Sequence, residues 1–554
     1  MFVRSRSSHC FPSRETDDKG PVPLTSHHSH IIHIIHTLHR RVTVFALTDC
    51  PHCKRTKSAL TKAGIPYTEI SLSTHPEKRT DMLSLSDRLT VPQVFFNDKH
   101  IGGADDTLNF LEKIQQESPT GTTLDEYYKA HIASKPDPTD PRLAVPTTPP
   151  VQETPAPPRD AEHSVPLPNG EKATVLQVVQ LLRTTLPRAN LKHNLTVYKD
   201  CFRGDEAVAA FKATYPEIRT DQDAVAFGKM LLNRKIILHV AEEKDFIDSK
   251  NRYFRLHCYH KPHVLNSYRV WSERVDPDSM SLLKRLKKML GKVESAVTDG
   301  AGLVNYSKAK DQELYPVFEE AVCELQGVDM AQMNEPTKLA FGINLYNMMI
   351  KYAFMKVGIG TSFLTRNNFF GGVYFNIGGK LLSFNDLENG VLRANRKGPA
   401  NFSVPFAKDD TRLAMARKEV DCRIHFGLNC GAKSCPPVKT FTVQAIEEEL
   451  RIVAQAFCEQ EDNVSIDMST RTLHLTSILN WFQVDFCKTK ADLPGVVVNF
   501  LRGEKQRQLQ ELIDNGGNIN IKFKEYDWST NASYFVPFDK SVLVANVKTI
   551  KALI

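Results

Sequence analysis

β-branched and aromatic residues crowd Val42–Leu47, the run breaks at Asp49, and apolar positions then recur with helical spacing from about Pro51 to Lys62. Strand-like and helix-like patterns keep alternating through residues 40–117, which predicts an α/β domain there. The patterning then lapses. Residues 135–168 carry closely spaced prolines, cannot build a packed core, and predict an extended linker within 118–172. Across 173–260 helical periodicity returns and closes in short strand-like pieces, so a small helical domain with a hairpin wing is expected. In 279–294, Leu282, Leu283, Leu286, Met289, Leu290 and Val293 share one helical face, while Lys284, Arg285, Lys287, Lys288 and Lys292 take the other. This basic amphipathic helix falls in a connecting segment, 261–299, and is expected to pack against its own domain. Helix and strand patterns mix from 300 to 536, leaving 537–554 as a tail. The expected fold class is multidomain, α/β plus α+β.

The most apolar stretch, LAFGINLYNMMIKYAFMKVGI at 339–359, is interrupted by Asn344, Lys351 and Lys356. A spanning helix needs about 20 predominantly apolar residues, so this one reads as a buried helix of a globular domain. A chain of 554 residues exceeds what one core can organise and implies roughly three or four domains. The net charge of +7 permits an anionic surface as partner without arguing for one, and no nucleic acid is expected. Eleven cysteines, an odd number spread over a long chain, read as reduced thiols and a cytoplasmic location. The polar, irregular segment 1–39 is serine-rich and basic like a presequence, but Glu15, Asp17 and Asp18 argue against that. Its tract HHSHIIHIIHTLH would align His30, His33, His36 and His39 if helical, yet such termini bind metals weakly, and no metal is expected.

Chemistry concentrates first in Cys50-Pro51-His52-Cys53, which straddles the strand-to-helix break. A cysteine at a helix N-terminus faces unsatisfied N–H groups that favour its thiolate, and a second cysteine one turn on can resolve a mixed disulfide. His52, Lys54 and Arg55 add positive charge, so Cys50 is expected to ionise well below about 8.5. Half a zinc site is the alternative, but no second pair with matching spacing lies nearby.

With LTVPQVFFNDKHIGGADDTLNFL at 89–111, residues 40–116 resemble glutaredoxins. The resemblance implies a thioredoxin-like fold, a cis Val91–Pro92 bond opposite the nucleophile, and glutathione held by Gly103, Asp105 and Asp106, with Pro51 and His52 in the active-site dipeptide. Glutathione and protein disulfides are then the expected partners. Leu47 stands where many members have a lysine for the glycyl carboxylate, and Pro-His replaces the commoner Pro-Tyr.

Tyr198-x-x-Cys201-Phe202-x-Gly204-x-Glu206-Ala207-Val208 and the terminal Tyr253-Phe254 strand make 174–260 similar to the DEP family. A winged-helix fold follows from the resemblance, with Cys201 in the core and docking to anionic membrane, receptor or signalling partners. Arg183, Arg188, Lys192, Lys199, Arg203, Arg234, Lys235 and Lys250 are the cations available for lipid, which would make the protein peripheral at a membrane.

Blocks at 338–350, 423–438, 475–486 and 519–531 make residues 300–536 resemble the domain of unknown function 547, which implies a fold unit but no reaction. The second block, RIHFGLNCGAKSCPPV, leaves several readings open. Cys422, His425, Cys430 and Cys435 have acceptable types and spacing for zinc. Cys430 or Cys435 with His425 as base, oriented by Asn344, Asn347 or Asn429, would form a hydrolase-like second site. A Cys430/Cys435 redox pair lacks the strand-to-helix placement that makes a thiolate at Cys50, so a second redox centre is not expected. A structural turn is the plainest reading. The function expected is glutathione-linked thiol–disulfide exchange beside a DEP module; the competing expectation is a redox-sensing signalling adaptor without turnover.

Overall fold

The computed structural model describes residues 42–48, 50–117, 123–135, 138–144, 146, 164–193, 196–241, 245–271, 278–399 and 401–543, in two compact units divided near residue 152. The histidine tract, Asp49, most of the proline-rich linker and the end of the tail lie outside the described residues.

The first unit is built on a four-stranded sheet of order β2-β1-β3-β4. Strand β1 (Val42–Ala46) pairs in parallel with β2 (Thr68–Ser71) and antiparallel with β3 (Gln93–Phe96), which pairs with β4 (Lys99–Gly102). A parallel pair needs a crossover, which α1 (Pro51–Lys62) supplies. Helix α2 (Lys78–Ser86) precedes β3, and α3 (Ala104–Glu117) follows β4 and packs against α1. Every residue of β1 and β3 is buried, as expected of central strands covered on both faces.

The unit continues past 117 into the segment expected as linker. Helix α4 (Leu124–Tyr128) starts at a Thr123/Glu126 capping box, and Tyr128 and Ile132 enter the same core as Val42, Val44 and Leu60. Leu143 is buried, its carbonyl accepting from the Thr43 hydroxyl at 3.5 Å. Apolar side chains at intervals too wide to read as a repeat carry this extension.

In the second unit, helices Val175–Thr185, Gly204–Thr214 and Asp221–Asn233 pack on an antiparallel sheet that ends in the hairpin Ile237–His239/Tyr253–Leu256. This is the expected winged-helix arrangement. Cys201 is fully buried and accepts from the Arg255 guanidinium at 3.3 Å.

The segment expected to connect this layer to the rest is instead structural. The Leu265 N–H donates to the Tyr374 carbonyl at 2.7 Å, and the Asn266 amide bonds both the N–H and the C=O of Asn376 at 2.7 Å. Tyr268 and Cys323 belong to the same apolar core as Phe211 and Phe254. Arg183 and Lys356 both face Glu319, at 3.6 and 3.1 Å. The two layers are one packed body.

Helix Ser279–Ala296 buries Leu282, Leu283, Leu286, Leu290 and Val293 against helices Leu314–Ala321 and Glu335–Val357. The latter is buried on nearly all sides, and the Asn334 side chain caps it by accepting the Thr337 N–H. A three-stranded sheet joins Val464–Asp467, Thr472–Leu475 and Asn520–Phe523. Among the described residues, no helix is long and apolar enough to cross a membrane.

Candidate functional site

Cys50 is the N-cap of α1, with Pro51 in the first turn. Its sulfur accepts the Cys53 N–H at 3.2 Å and lies 3.8 Å from the Val91 carbonyl. That N–H is one of the donors a helix start leaves unsatisfied, and the Cys50 sulfur satisfies it. Cys53 is fully buried; burial and its hydrogen bond to Cys50 push its thiol up to about 12. The two thiols therefore differ, one half-buried and one inside. His52 is exposed, and the Val91–Pro92 peptide is cis.

The turn before α3 is closed by Asp106, whose carboxylate accepts the Gly103 N–H at 2.9 Å and pairs with Arg88 at 2.6 Å. The Gly103 N–H and then Arg88 hold that carboxyl below its ordinary range. Asp105 pairs with Arg55 of α1. Thus each aspartate of the turn carries an arginine.

The second unit contains a cavity of about 470 Å³. All four sequence blocks contribute to its wall: Tyr346 from the first, His425, Cys430 and Cys435 from the second, Trp481 and Phe482 from the third, Tyr526 and Trp528 from the fourth. The loop that carries the cysteines is clamped by amides. Asn347 donates to the Gly427 carbonyl at 2.9 Å and accepts the Asn429 N–H at 2.8 Å; Asn429 in turn donates to the Pro436 carbonyl at 2.7 Å. Gly431 sits at φ +91°, where a Cβ would come within 2.4 Å of the Phe354 ring, so only glycine allows this turn. Ser434 then bonds the backbone of Asp527, which sets the loop beside Tyr526.

The turn brings Cys430 Sγ to 3.2 Å from Cys435 Sγ. Cys435 also accepts the Cys430 N–H at 3.3 Å and meets the Tyr526 hydroxyl at 3.0 Å. The Cys430 thiol, then, against burial, the Tyr526 hydroxyl and backbone N–H groups pull Cys435 down to about 7. Cys430 moves the opposite way, raised by its bond to Cys435 and by burial. As expected, no helix start is present at this pair; hydrogen-bond donors from the loop and from Tyr526 converge there instead.

His425 is buried, stacks on Phe482 at 3.9 Å between ring centroids, and bonds Asp485 at 2.8 Å through Nε2. Asp485 is clamped by the fully buried Arg393 at 2.5 and 3.0 Å. Burial works to raise the Asp485 carboxyl, yet the His425 and Arg393 bonds overcome it and hold it far below its ordinary range. Burial lowers the His425 value despite Asp485. Glu388, half-buried in the same wall, is raised by desolvation and accepts the Tyr346 hydroxyl at 3.2 Å.

The site expected from sequence is thus assembled in part. His425, Cys430 and Cys435 share one cavity, but no hydrogen bond joins His425 to either thiol among the described residues. Asn344 does not join them: its side chain bonds the Phe441 backbone and the Lys287 ammonium. The orienting group is a carboxylate, Asp485, which the sequence reading did not single out. The zinc set is not assembled either. Cys422 is held in its own buried surroundings beside Asp421, and no metal-holding group of three or more such residues occurs among the described residues. Glu388, Arg393 and Tyr526 were likewise missed, although Asp485 and Tyr526 lie inside the third and fourth blocks.

Sheet order, the cysteine at the start of α1 and the buried partner one turn later define a dithiol domain of thioredoxin-like fold. The glutaredoxin family matches residues 42–101, and through this domain the chain belongs to that family. It is 38% identical over 65 residues to glutaredoxin 3 of Escherichia coli K12, covering 12% of this chain and 78% of that protein. Against glutaredoxin 1 of Rickettsia prowazekii the identity is 33% over 85 residues, covering 14% and 90%. A solved structure, the dithiolic glutaredoxin 2-C-Grx1 of Trypanosoma brucei brucei, is 26% identical, covers 15% of this chain and 86% of its own, and has a TM-score of 0.13. The domain found in Dishevelled, Egl-10 and Pleckstrin (DEP) matches 185–256, and the protein of unknown function DUF547 matches 330–458.

Proposed function

We propose that the first unit catalyses glutathione-linked thiol–disulfide exchange. The observation that supports this best is the capping of α1 by Cys50, whose sulfur accepts the Cys53 N–H at 3.2 Å. Cys50 attacks a protein disulfide or a glutathionylated thiol and forms a mixed disulfide. Cys53 then attacks the Cys50 sulfur, closing the internal disulfide and releasing the second thiol. Glutathione returns the pair to the dithiol. Gly103, Asp105 and Asp106 receive the γ-glutamyl end, Val91 and Pro92 lie alongside the cysteinyl part, and Pro51 and His52 face the incoming disulfide. Arg55 and Arg88, each tied to one of those aspartates, supply the positive charge that Leu47 cannot.

The working division is a catalytic unit, 42–144, and a second body, 164–543, in a cytoplasmic protein. Its DEP layer docks to an anionic membrane or to a receptor or signalling protein. Arg183, Arg188 and Arg203 are engaged internally, leaving Lys192, Lys199, Lys235 and Lys250 exposed for such contact. Pelleting of the full chain with anionic vesicles at low and high salt distinguishes lipid from protein partners.

Turnover decides the catalytic reading. The full chain with Cys430→Ser and Cys435→Ser should reduce a glutathione mixed disulfide repeatedly at the expense of glutathione. A folded protein that reacts once and stops would overturn it in favour of the redox-sensing adaptor.

A further inference from the structure

The cavity of the second unit holds a pair of thiols that the proposed exchange at Cys50 does not use. We infer that Cys430 and Cys435 form a second dithiol–disulfide centre, in which Cys435 attacks a small disulfide admitted to the cavity and Cys430 resolves it. Three geometric facts carry this. The sulfurs are 3.2 Å apart, so a disulfide needs them to close by about 1 Å. They line a cavity of about 470 Å³, within the range that holds small ligands. Hydrogen-bond donors approach Cys435 most closely, the Cys430 N–H at 3.3 Å and the Tyr526 hydroxyl at 3.0 Å, whereas the same hydroxyl lies 3.9 Å from the Cys430 sulfur; this assigns the attacking role to Cys435.

His425 does not serve as base. Its hydrogen bond runs to Asp485 at 2.8 Å, and among the described residues none joins it to either thiol. The dyad braces the cavity wall, with Arg393 completing a buried ion pair. Redox exchange needs no such base, because the thiolate itself is the nucleophile.

The Cys435 thiolate bonds to one sulfur of the incoming disulfide, whose S–S bond breaks and releases a thiolate. Cys430 then bonds to the Cys435 sulfur, displacing the second thiolate. The two protons of the original dithiol pass to the two released thiolates. The protein pair is oxidised and the small disulfide is reduced to two thiols. A small thiol in excess reverses every step.

Trp481 and Trp528 flank Tyr526, and Arg366 lies over Trp528 at 4.7 Å. This side of the cavity presents aromatic faces and a cation, suited to a small disulfide bearing carboxylates, so glutathione disulfide is the probe of choice.

The test uses the full chain, equilibrated in mixtures of glutathione and glutathione disulfide, alkylated, digested and mapped by mass. Peptides of the two cysteine pairs are read separately. Oxidation should remove alkylation from Cys430 and Cys435 together and join them, with return on adding excess glutathione. With Cys430→Ser, a glutathionyl group should accumulate on Cys435; with Cys435→Ser, Cys430 should gain little. Tyr526→Phe should slow adduct formation near neutral pH, most at the acid end. The proposal is overturned if wild-type Cys430 and Cys435 stay alkylated in every mixture, or if the adduct prefers Cys430. The wild-type result stands even if a variant fails to fold. It is also independent of whether Cys50 turns over.

Discussion

Cys50 caps a helix at the end of a buried strand, whereas Cys435 ends a glycine turn zipped to the strand-like segment around Asp527. In the first pair the earlier cysteine is accessible and the later one, Cys53, is pushed up to about 12 by burial. In the second pair the order is reversed: Cys435 falls to about 7 while Cys430 rises. Donors can be brought to a sulfur without any particular element. A helix start supplies them from its own first turn; a loop must gather them from elsewhere, here from Tyr526, 91 residues away. The first arrangement survives in a short motif, and the second exists only in the folded body.

That contrast can be broken at either end. The largest effect is expected from Cys50→Ser, which should reduce turnover of a glutathione mixed disulfide to the uncatalysed rate while leaving oxidation of Cys430 and Cys435 intact by mass mapping. Asp485→Ala comes next, because it strands Arg393 and removes the brace on His425. Loss of one partner of a buried pair costs about 3–5 kcal/mol, read as a lower denaturant midpoint of the second unit without a change in the first. Tyr526→Phe should raise the pH midpoint for alkylation of Cys435 by about one unit, since a hydrogen bond to a charged group contributes about 1.5–3 kcal/mol and one unit corresponds to about 1.4 kcal/mol. The smallest effect is expected from Arg88→Ala, a rise of roughly threefold in KM for the glutathione mixed disulfide with kcat nearly unchanged. An exposed pair such as Arg88–Asp106 contributes up to ~1 kcal/mol.

Stability should report the same asymmetry. A thiol at about 7 in the folded state and about 8.5 when unfolded binds its proton less tightly in the fold. Its contribution is full above the unfolded value and is lost as pH falls through about 7. Wild type should therefore gain on Cys435→Ser between those limits and lose that gain below them, as measured by denaturant midpoints across the pH range.

Much of this architecture was legible in the residues. The strand, break and helix at 42–62 predicted β1 and α1, and the apolar helix at 339–359 is buried as its composition required. The four blocks of the C-terminal resemblance were visible as separate strings, and their common destination was not. Tyr346, Cys435, Trp481 and Tyr526 meet because distant segments fold onto one cavity, and no local periodicity encodes a meeting over such separations. Asn344 illustrates the converse. It and Asn347 are one helical turn apart; only the packing shows that Asn347 clamps the cysteine loop while Asn344 holds Phe441. The segment 261–271 was misread because its role depends on the Asn266 side chain bonding the Asn376 backbone, 110 residues away, and on Tyr268 entering the core of Phe211 and Phe254.

The shared core of Tyr268 and Cys323 with Phe211 and Phe254 has a practical consequence for dissecting the protein. A cut near residue 270 would bare apolar surface on both products and separate Arg183 from Glu319. Limited proteolysis should accordingly spare that junction, and a DEP fragment purified alone should be sticky for reasons unrelated to its natural partner. The smallest piece that keeps the core of this layer whole starts near 164 and runs through to 543, so whatever binds that layer also holds the thiol cavity in the same particle.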